Sequence, residues 1–366
     1  MTAIAEFHWL ARTPIGFLVA LALGLYFTPI LRDAAVRFGI VDHPDGKLKR
    51  HAAPTPYLGG IAIFLAFLIA LGLTIRVFEH QMLGLMLGAS IVLMLGLVDD
   101  LKALSPMVKL LGQLLAAFVL VKAGVRIEVA AIRETSPFLC DALTIVWVVG
   151  ITNAFNLIDV MDGLAAGVAA IALLVLAAVA LLGGDAAISL FLACLAGAVL
   201  GFLRFNRKPA SVFLGDAGSM LIGFLTGASA MLLQYAEVHP VAAMAPVLIL
   251  GVPIFDTALV IVLRAMQGRP VTQGSPDHFA VRLRRAGYAE RTIVRGAWAT
   301  SIALGVVGVS LRAVTPGTAF VLVTACVAAA IGLAVRLART GGDPIFSRAT
   351  PTDVSPNIGR GPGSPG

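Results

Sequence analysis

Four groups of polar side chains interrupt an otherwise apolar chain. The first is Asp99-Asp100-Leu101-Lys102. The second places Asn153, Asn156, Asp159 and Asp162 in steps of three within NAFNLIDVMDGLAAG. The third is Phe213-Leu214-Gly215-Asp216-Ala217-Gly218-Ser219. The fourth, GRPVTQGSPDHFAVRLRR, carries His278, Arg282, Arg284 and Arg285. Adjacent carboxylates such as Asp99 and Asp100 repel unless a cation or a basic group lies between them. Residues three apart on a helix form a slowly drifting polar stripe. Hard oxygen donors without a neighbouring Cys or His pair suit Mg²⁺ or Mn²⁺ better than zinc. Arginine offers a bidentate clamp for phosphate, and histidine adds a donor. Asp216 alone reads equally well as a helix cap beside Gly215 and Gly218. Together, acids for a metal, bases for phosphates and glycines for close approach point to a pocket for a metal and a phosphorylated ligand.

The elements that must position these groups are membrane helices. Of the 366 residues, 59% are hydrophobic and 13% charged, against about 25% charged in a soluble domain. The mean hydropathy is +0.95. The composition implies an all-α polytopic integral membrane protein. Eleven apolar runs lie near 15–31, 58–75, 82–98, 107–122, 142–158, 164–182, 187–203, 213–233, 241–264, 294–311 and 317–338. The first reads as a span and not a cleaved signal, because no small-residue cleavage site follows it. Eleven spans put 21 of the 27 Lys and Arg on one side. This bias predicts a periplasmic N-terminus and a cytoplasmic C-terminus. Twelve of the fourteen aspartates fall on that cytoplasmic side, whereas five of the six glutamates fall outside. Residues 1–340 form the transmembrane catalytic unit, with its site at the cytoplasmic face. The Gly- and Pro-rich segment 341–366 reads as a disordered cytoplasmic tail.

Other features have plainer readings. Cys140, Cys194 and Cys326 lack metal-ligand spacing and read as packing residues. The net charge of +7 suits topology signals and anionic lipid headgroups, so no nucleic acid is expected as a partner. Trp9 and Trp147 read as interfacial anchors or packing residues, and residues 124–138 as a short external hairpin. His51, after Lys47, Lys49 and Arg50, reads either as a phosphate contact or as part of the topology signal. A secondary transporter also places acids within its bundle, but near the midplane on broken helices. Here the acids gather toward one face.

At these residues the chain resembles the polyprenyl-phosphate N-acetylhexosamine-1-phosphate transferases. That family includes the enzymes initiating lipopolysaccharide and teichoic acid, and the phospho-MurNAc-pentapeptide translocase. The resemblance is carried by PTPYLGGIAIF (54–64), VDDLK (98–102), NAFNLIDVMDGLAAG (153–167), FLGDAGSMLIGF (213–224) and PIFDT (253–257), in that order. It implies that a polyprenyl phosphate, undecaprenyl phosphate in a bacterial inner membrane, attacks the β-phosphate of a UDP-sugar. The products are polyprenyl-diphospho-sugar and UMP, opening the synthesis of a cell-envelope polysaccharide. By the same resemblance Asp216 is the Mg²⁺ (or Mn²⁺) ligand, and Asp99 and Asp100 lie beside the metal and the lipid phosphate. Asp159 is counted with them as catalytic. Asn153, Asn156, Asp159 and Asp162 shape the nucleotide-sugar pocket, with Phe213 near the uracil. Lys102 contacts phosphate, and His278 and Arg282 belong to the loop that holds the sugar phosphate. Two departures stand out: Val160 replaces the first glycine of the family's D-G-x-D-G, and the fourth group keeps only one histidine. PIFDT followed by Arg264 resembles the N-acetylglucosamine branch, so GlcNAc-1-phosphate is the first expectation, with UDP-GalNAc and UDP-MurNAc-pentapeptide open as other donors. The oligomeric state is open, a homodimer included.

Overall fold

The computed structural model describes residues 3–42, 55–76, 78–127, 136–233, 235, 238–270 and 275–340. The expected tail at 341–366, His51 and most of the expected hairpin at 124–138 lie outside these residues, as does the side chain of Trp9. The described chain is helical almost throughout. Its helices are α1 (Ala3–Arg37), α2 (Gly59–Thr74), α3 (His80–Leu101), α4 (Pro106–Lys122), α5 (Pro137–Ile158), α6 (Leu164–Leu182), α7 (Ala186–Asn206) and α8 (Gly215–Met231). A 3-10 turn (Pro240–Met244) then leads into α9 (Ala245–Ile249), α10 (Gly251–Met266), α11 (Phe279–Arg285), α12 (Glu290–Ser310) and α13 (Pro316–Thr340). Among the described residues, the one departure from an all-helical reading is a two-residue antiparallel ladder, β1 (Val41–Asp42) on β2 (Thr55–Pro56).

Among the described residues, seven helices are long and apolar enough to cross a membrane: the Arg12–Arg37 part of α1, with α3, α5, α6, α7, α12 and α13. The pair Pro240–Ile249 and Gly251–Met266 is bent by 78° and makes an eighth if it is one span. The other three apolar runs fall on α2, α4 and α8, of 16, 17 and 17 residues. Seventeen residues rise about 25 Å, a little short of a hydrocarbon core of about 30 Å.

The shortness of α8 is tolerable because protein surrounds it. Every residue from Ala217 to Ala230 is buried, as expected of a helix with no polar face. It packs against α2, α3, α5 and α6. Small residues permit the approach: a side chain at Gly96 of α3 would place its Cβ 2.4 Å from the Ala217 Cα. Trp147 of α5 donates from Nε1 to the Gly227 carbonyl at 2.9 Å, so it packs inside the bundle. By contrast, α13 has only 6% of its apolar window buried, against 83% for α7. A frame of buried helices thus holds α8 with its N-terminus at the end of the bundle where the polar groups meet.

Candidate active site

The centre of the site stands where the C-terminal ends of α3 and α5 meet the N-terminal ends of α4 and α8. Ser105 caps α4, its Oγ accepting from the Val108 N–H at 3.4 Å, and Pro106 fills the first helical position. One turn later Lys109 reaches back across the gap. Its ammonium pairs with Asp99 Oδ2 and, at 2.9 Å, with Asp216 Oδ2. Asp99 is almost fully buried, and its other oxygen accepts from the Leu104 N–H at 2.7 Å. On the far side of Asp216, Asn156 donates from Nδ2 to Oδ1 at 2.8 Å and to Ser219 Oγ at 2.9 Å. Asp216 is therefore held from two helices while its side chain remains 32% exposed.

Asp100 does a different job. Its Oδ1 accepts from the Asp216 N–H at 2.8 Å and its Oδ2 from the Ala217 N–H at 3.1 Å. A carboxylate at this position satisfies two otherwise unpaired N–H groups and opposes the positive end of the helix dipole. Gly215 makes the geometry possible. It sits at φ +73, and a Cβ there would lie 2.6 Å from Asp100 Oδ2.

The stripe on α5 divides. Asn153 forms a reciprocal amide pair with the buried Gln113 of α4: Nδ2 donates to Oε1 at 2.7 Å, and Gln113 Nε2 donates back at 3.3 Å. It thus locks α4 against α5 in the register that lets Lys109 and Asn156 share Asp216. Asp159 ends α5 at φ −77, ψ 57, and the Val160 N–H returns to the Ile158 carbonyl at 2.8 Å. This is an inverse γ-turn. Val160 has no positive φ, so the turn that presents Asp159 does not need the family's glycine. Burial, followed by the charges of Asp216, Asp100 and Asp162, pushes the Asp159 carboxyl up to about 8. Asp162 accepts from the Ala210 N–H at 3.0 Å. Phe213 is half-buried, its N–H donating to the Pro56 carbonyl at 2.8 Å. Lys102 is exposed at the C-terminal end of α3.

His278 and Arg282 belong to a second group. His278 Nδ1 lies 2.7 Å from Asp256 Oδ2, and the Phe279 N–H donates to the other Asp256 oxygen at 2.8 Å. Arg282 is buried, and its Nη2 reaches Asp277 Oδ1 at 2.5 Å while its Nη1 donates to the Leu337 carbonyl near the end of α13 at 3.2 Å. Burial works to raise the Asp277 carboxyl. Hydrogen bonds from Arg282 and Ser275 outweigh it and hold the group below its ordinary value. The fold thus gives Arg282 an internal acid and a helix end as partners.

Three participants are not marked by any of the sequence motifs: Lys109, Gln113 and Asn206. Asn206, buried at the end of α7, accepts from the Gly163 N–H at 3.0 Å and donates to the Val212 carbonyl at 3.0 Å. A signal exists for Lys109. A cation in the first turn of a helix opposes the dipole, so a lysine there in an apolar segment needs an acidic partner elsewhere.

The donor set bears on the expected cation. Asp99 and Asp216 already share a positive charge, the Lys109 ammonium, so the geometry attracts cations. Among the described residues no three His, Cys, Asp or Glu converge as an all-protein cage. What remains is one or two carboxylates, the set that Mg²⁺ uses beside water and substrate phosphates. The residues present fit that ion.

Comparison with known proteins identifies the family. Residues 82–234, which span α3 to α8, match the model of glycosyl transferase family 4. The chain is 36% identical over 292 residues to a probable undecaprenyl-phosphate N-acetylglucosaminyl 1-phosphate transferase of Bacillus subtilis, covering 77% of this chain and 80% of the relative. It is 33% identical to the decaprenyl-phosphate N-acetylglucosaminephosphotransferase of Mycolicibacterium smegmatis, over 89% of each chain. It is 31% identical to the phospho-N-acetylmuramoyl-pentapeptide-transferase of Bacillus cytotoxicus, over 82% of this chain and 96% of the relative. With its acidic centre on the matched helices, the chain belongs to glycosyl transferase family 4, among the polyprenyl-phosphate N-acetylhexosamine-1-phosphate transferases.

Proposed function

We propose that the protein transfers GlcNAc-1-phosphate from UDP-GlcNAc to undecaprenyl phosphate, at the cytoplasmic face of a bacterial inner membrane. An oxygen of the lipid phosphate attacks the β-phosphorus of the donor. The bond from that phosphorus to the α-phosphate oxygen breaks, and UMP leaves. The observation that carries this reading is the half-open carboxylate centre in which one ammonium, Lys109, serves both Asp99 and Asp216. The choice of sugar is supported by the two relatives named for N-acetylglucosamine, at 36% and 33% identity.

The chain's own residues bind and orient. Asp216, with Asp99 beside it, would hold Mg²⁺, which when bound acts as a Lewis acid and template on the diphosphate. Lys109 offers positive charge to the incoming phosphates and keeps the two carboxylates together. Asp100 has both oxygens committed to backbone N–H groups, so its role is to aim Asp216 and not to accept a proton. None need be accepted: a phosphate monoester has a second pKa of about 6, and the attacking group is mostly a dianion at neutral pH. Asn156, Asp162 and Phe213 flank the centre on the donor side. In such a reaction the protein chiefly positions reactants and stabilises charge.

The test uses detergent-purified protein, undecaprenyl phosphate and Mg²⁺, with UMP release followed separately for UDP-GlcNAc, UDP-GalNAc and UDP-MurNAc-pentapeptide. Release with UDP-GlcNAc alone, lost on chelation and reduced at least about 10³-fold in Asp216→Asn, is the expected result. Release with a different donor would reassign the sugar. No release with any of the three would overturn the reading.

A further inference from the structure

Helix α12 supplies no residue to the carboxylate centre, yet it grips the turn that displays Asp159 and Asp162. At its start, Glu290 pairs with Lys208. About two turns on, Trp298 donates from Nε1 to the Gly163 carbonyl at 3.2 Å. Gly163 sits at φ +75, and its N–H is held by Asn206 Oδ1 at 3.0 Å. Both polar groups of this residue are therefore held from outside the turn, the carbonyl from α12 and the N–H from the end of α7, and the carbonyl also accepts from the Gly167 N–H at 3.1 Å. The same end of α7 supplies Arg207, whose guanidinium lies over the Trp298 ring at 5.4 Å. Just beyond, the Ala210 N–H binds Asp162, and Asn206 donates to the Val212 carbonyl, next to Phe213. The indole occupies a notch made for it. A Cβ at Gly167 would come 2.0 Å from its Nε1, far inside contact distance.

We propose that Trp298 is a positioning residue for the nucleotide-sugar side of the site: it closes a circuit through Gly163, Asn206 and Arg207 that sets where Asp159 and Asp162 stand relative to Phe213. The inference rests on the transferase reading above. It assigns Trp298 to donor binding because the two segments joined are those that carry Asp159, Asp162 and Phe213. The residues facing the acceptor phosphate, Asp99, Lys109 and Asp216, stand on α3, α4 and α8. Simple packing would need only the ring. Positioning needs the N–H, because through that group α12 reaches the Gly163 carbonyl, whose other donor, the Gly167 N–H at 3.1 Å, belongs to α6 itself.

Two variants separate these roles. Trp298→Phe keeps an aromatic ring in the notch and deletes the donor, whereas Gly167→Ala leaves the indole intact and displaces it. Loss of a neutral hydrogen bond worth about 1 kcal/mol corresponds to about a five-fold change. In Trp298→Phe we expect the KM for UDP-GlcNAc to rise about five-fold, with the KM for undecaprenyl phosphate within about two-fold of wild type. Gly167→Ala should move the donor KM in the same direction. Amide hydrogen exchange, which needs no turnover, should quicken in 159–163 and 206–212 in both variants and stay unchanged in 215–231. The proposal is overturned if exchange in 159–163 matches wild type, or if both KM values rise together as the melting temperature falls. Should the wild-type protein release no UMP from any donor, the transferase reading fails, and the positioning role still stands or falls on the exchange measurement.

Discussion

Two charged groups in this protein are built from the same kinds of residue and come to opposite ends. In the centre formed by α3, α4, α5 and α8, Asp99 and Asp216 share one ammonium while Asp100 caps α8, and the side chains of Lys109 and Asp216 remain 27% and 32% exposed. In the group at α10 and α11, Asp256 and Asp277 meet His278 and Arg282, and none of these side chains is more than 5% exposed. The first has more negative charge than internal partners and an opening to solvent, which is what the proposed function asks of a site for a phosphate-bound metal. The second is sealed, and Arg282 has Asp277 and the Leu337 carbonyl for its donors. An aspartate beside a basic residue is thus no sign of a binding site until its partners have been counted. What separates the open acidic centre from the sealed latch is unmet charge together with access.

The contrast can be broken from either side. The largest effect is expected at Lys109→Met, which leaves Asp99 and Asp216 without their shared cation; UMP release should fall about 10²–10³-fold. Undiminished release would show that the ammonium is only a structural counter-ion. Next comes Arg282→Met in the sealed group, which strands the buried Asp277 carboxylate. Breaking a buried pair from one side costs about 3–5 kcal/mol. Thermal melting in detergent should register that loss, and adding Asp277→Leu should recover most of it. If the single variant melts like wild type and instead loses donor affinity, Arg282 acts on substrate and the contrast between the groups dissolves.

The smallest effect concerns pH. A carboxyl raised to about 8 in the folded chain binds a proton that the unfolded chain has already lost. Stability from this group is therefore full below about pH 4 and declines as pH rises toward 8. In metal-free buffer, the wild type should lose more melting temperature between about pH 5.5 and 8.5 than Asp159→Asn does. Equal losses would place the Asp159 carboxyl in the ordinary carboxylate range.

Much of this architecture is legible in the order of residues alone. The apolar runs locate the helices, and the order of the polar groups marks Asp99, Asp100, Asn156, Asp159 and Asp216. Spacing cannot say which of them spend their polar atoms inside the fold. Asn153 reads as a site residue because it continues the stripe on α5, and the fold pairs it with Gln113, forty residues earlier. Asp100 reads as equivalent to Asp99, yet one caps α8 and the other binds Lys109. Val160 reads as a departure from the family's motif, but the γ-turn at Asp159 accepts it. Lys109 belongs to no motif, and its place in the first turn of α4 calls for an acidic partner without saying that this partner stands 107 residues away.

By itself the sequence determined the membrane class, the chemical types at the site and their order along the chain. Those follow from composition and from local periodicity, which each residue carries with it. Tertiary structure decided the rest: which carboxylates keep their charge open, which amides lock helices together, and that a tryptophan on α12 reaches the carbonyl of Gly163. Hydrogen bonds and ion pairs act over about 3 Å, and only packing of distant segments brings such atoms within that range.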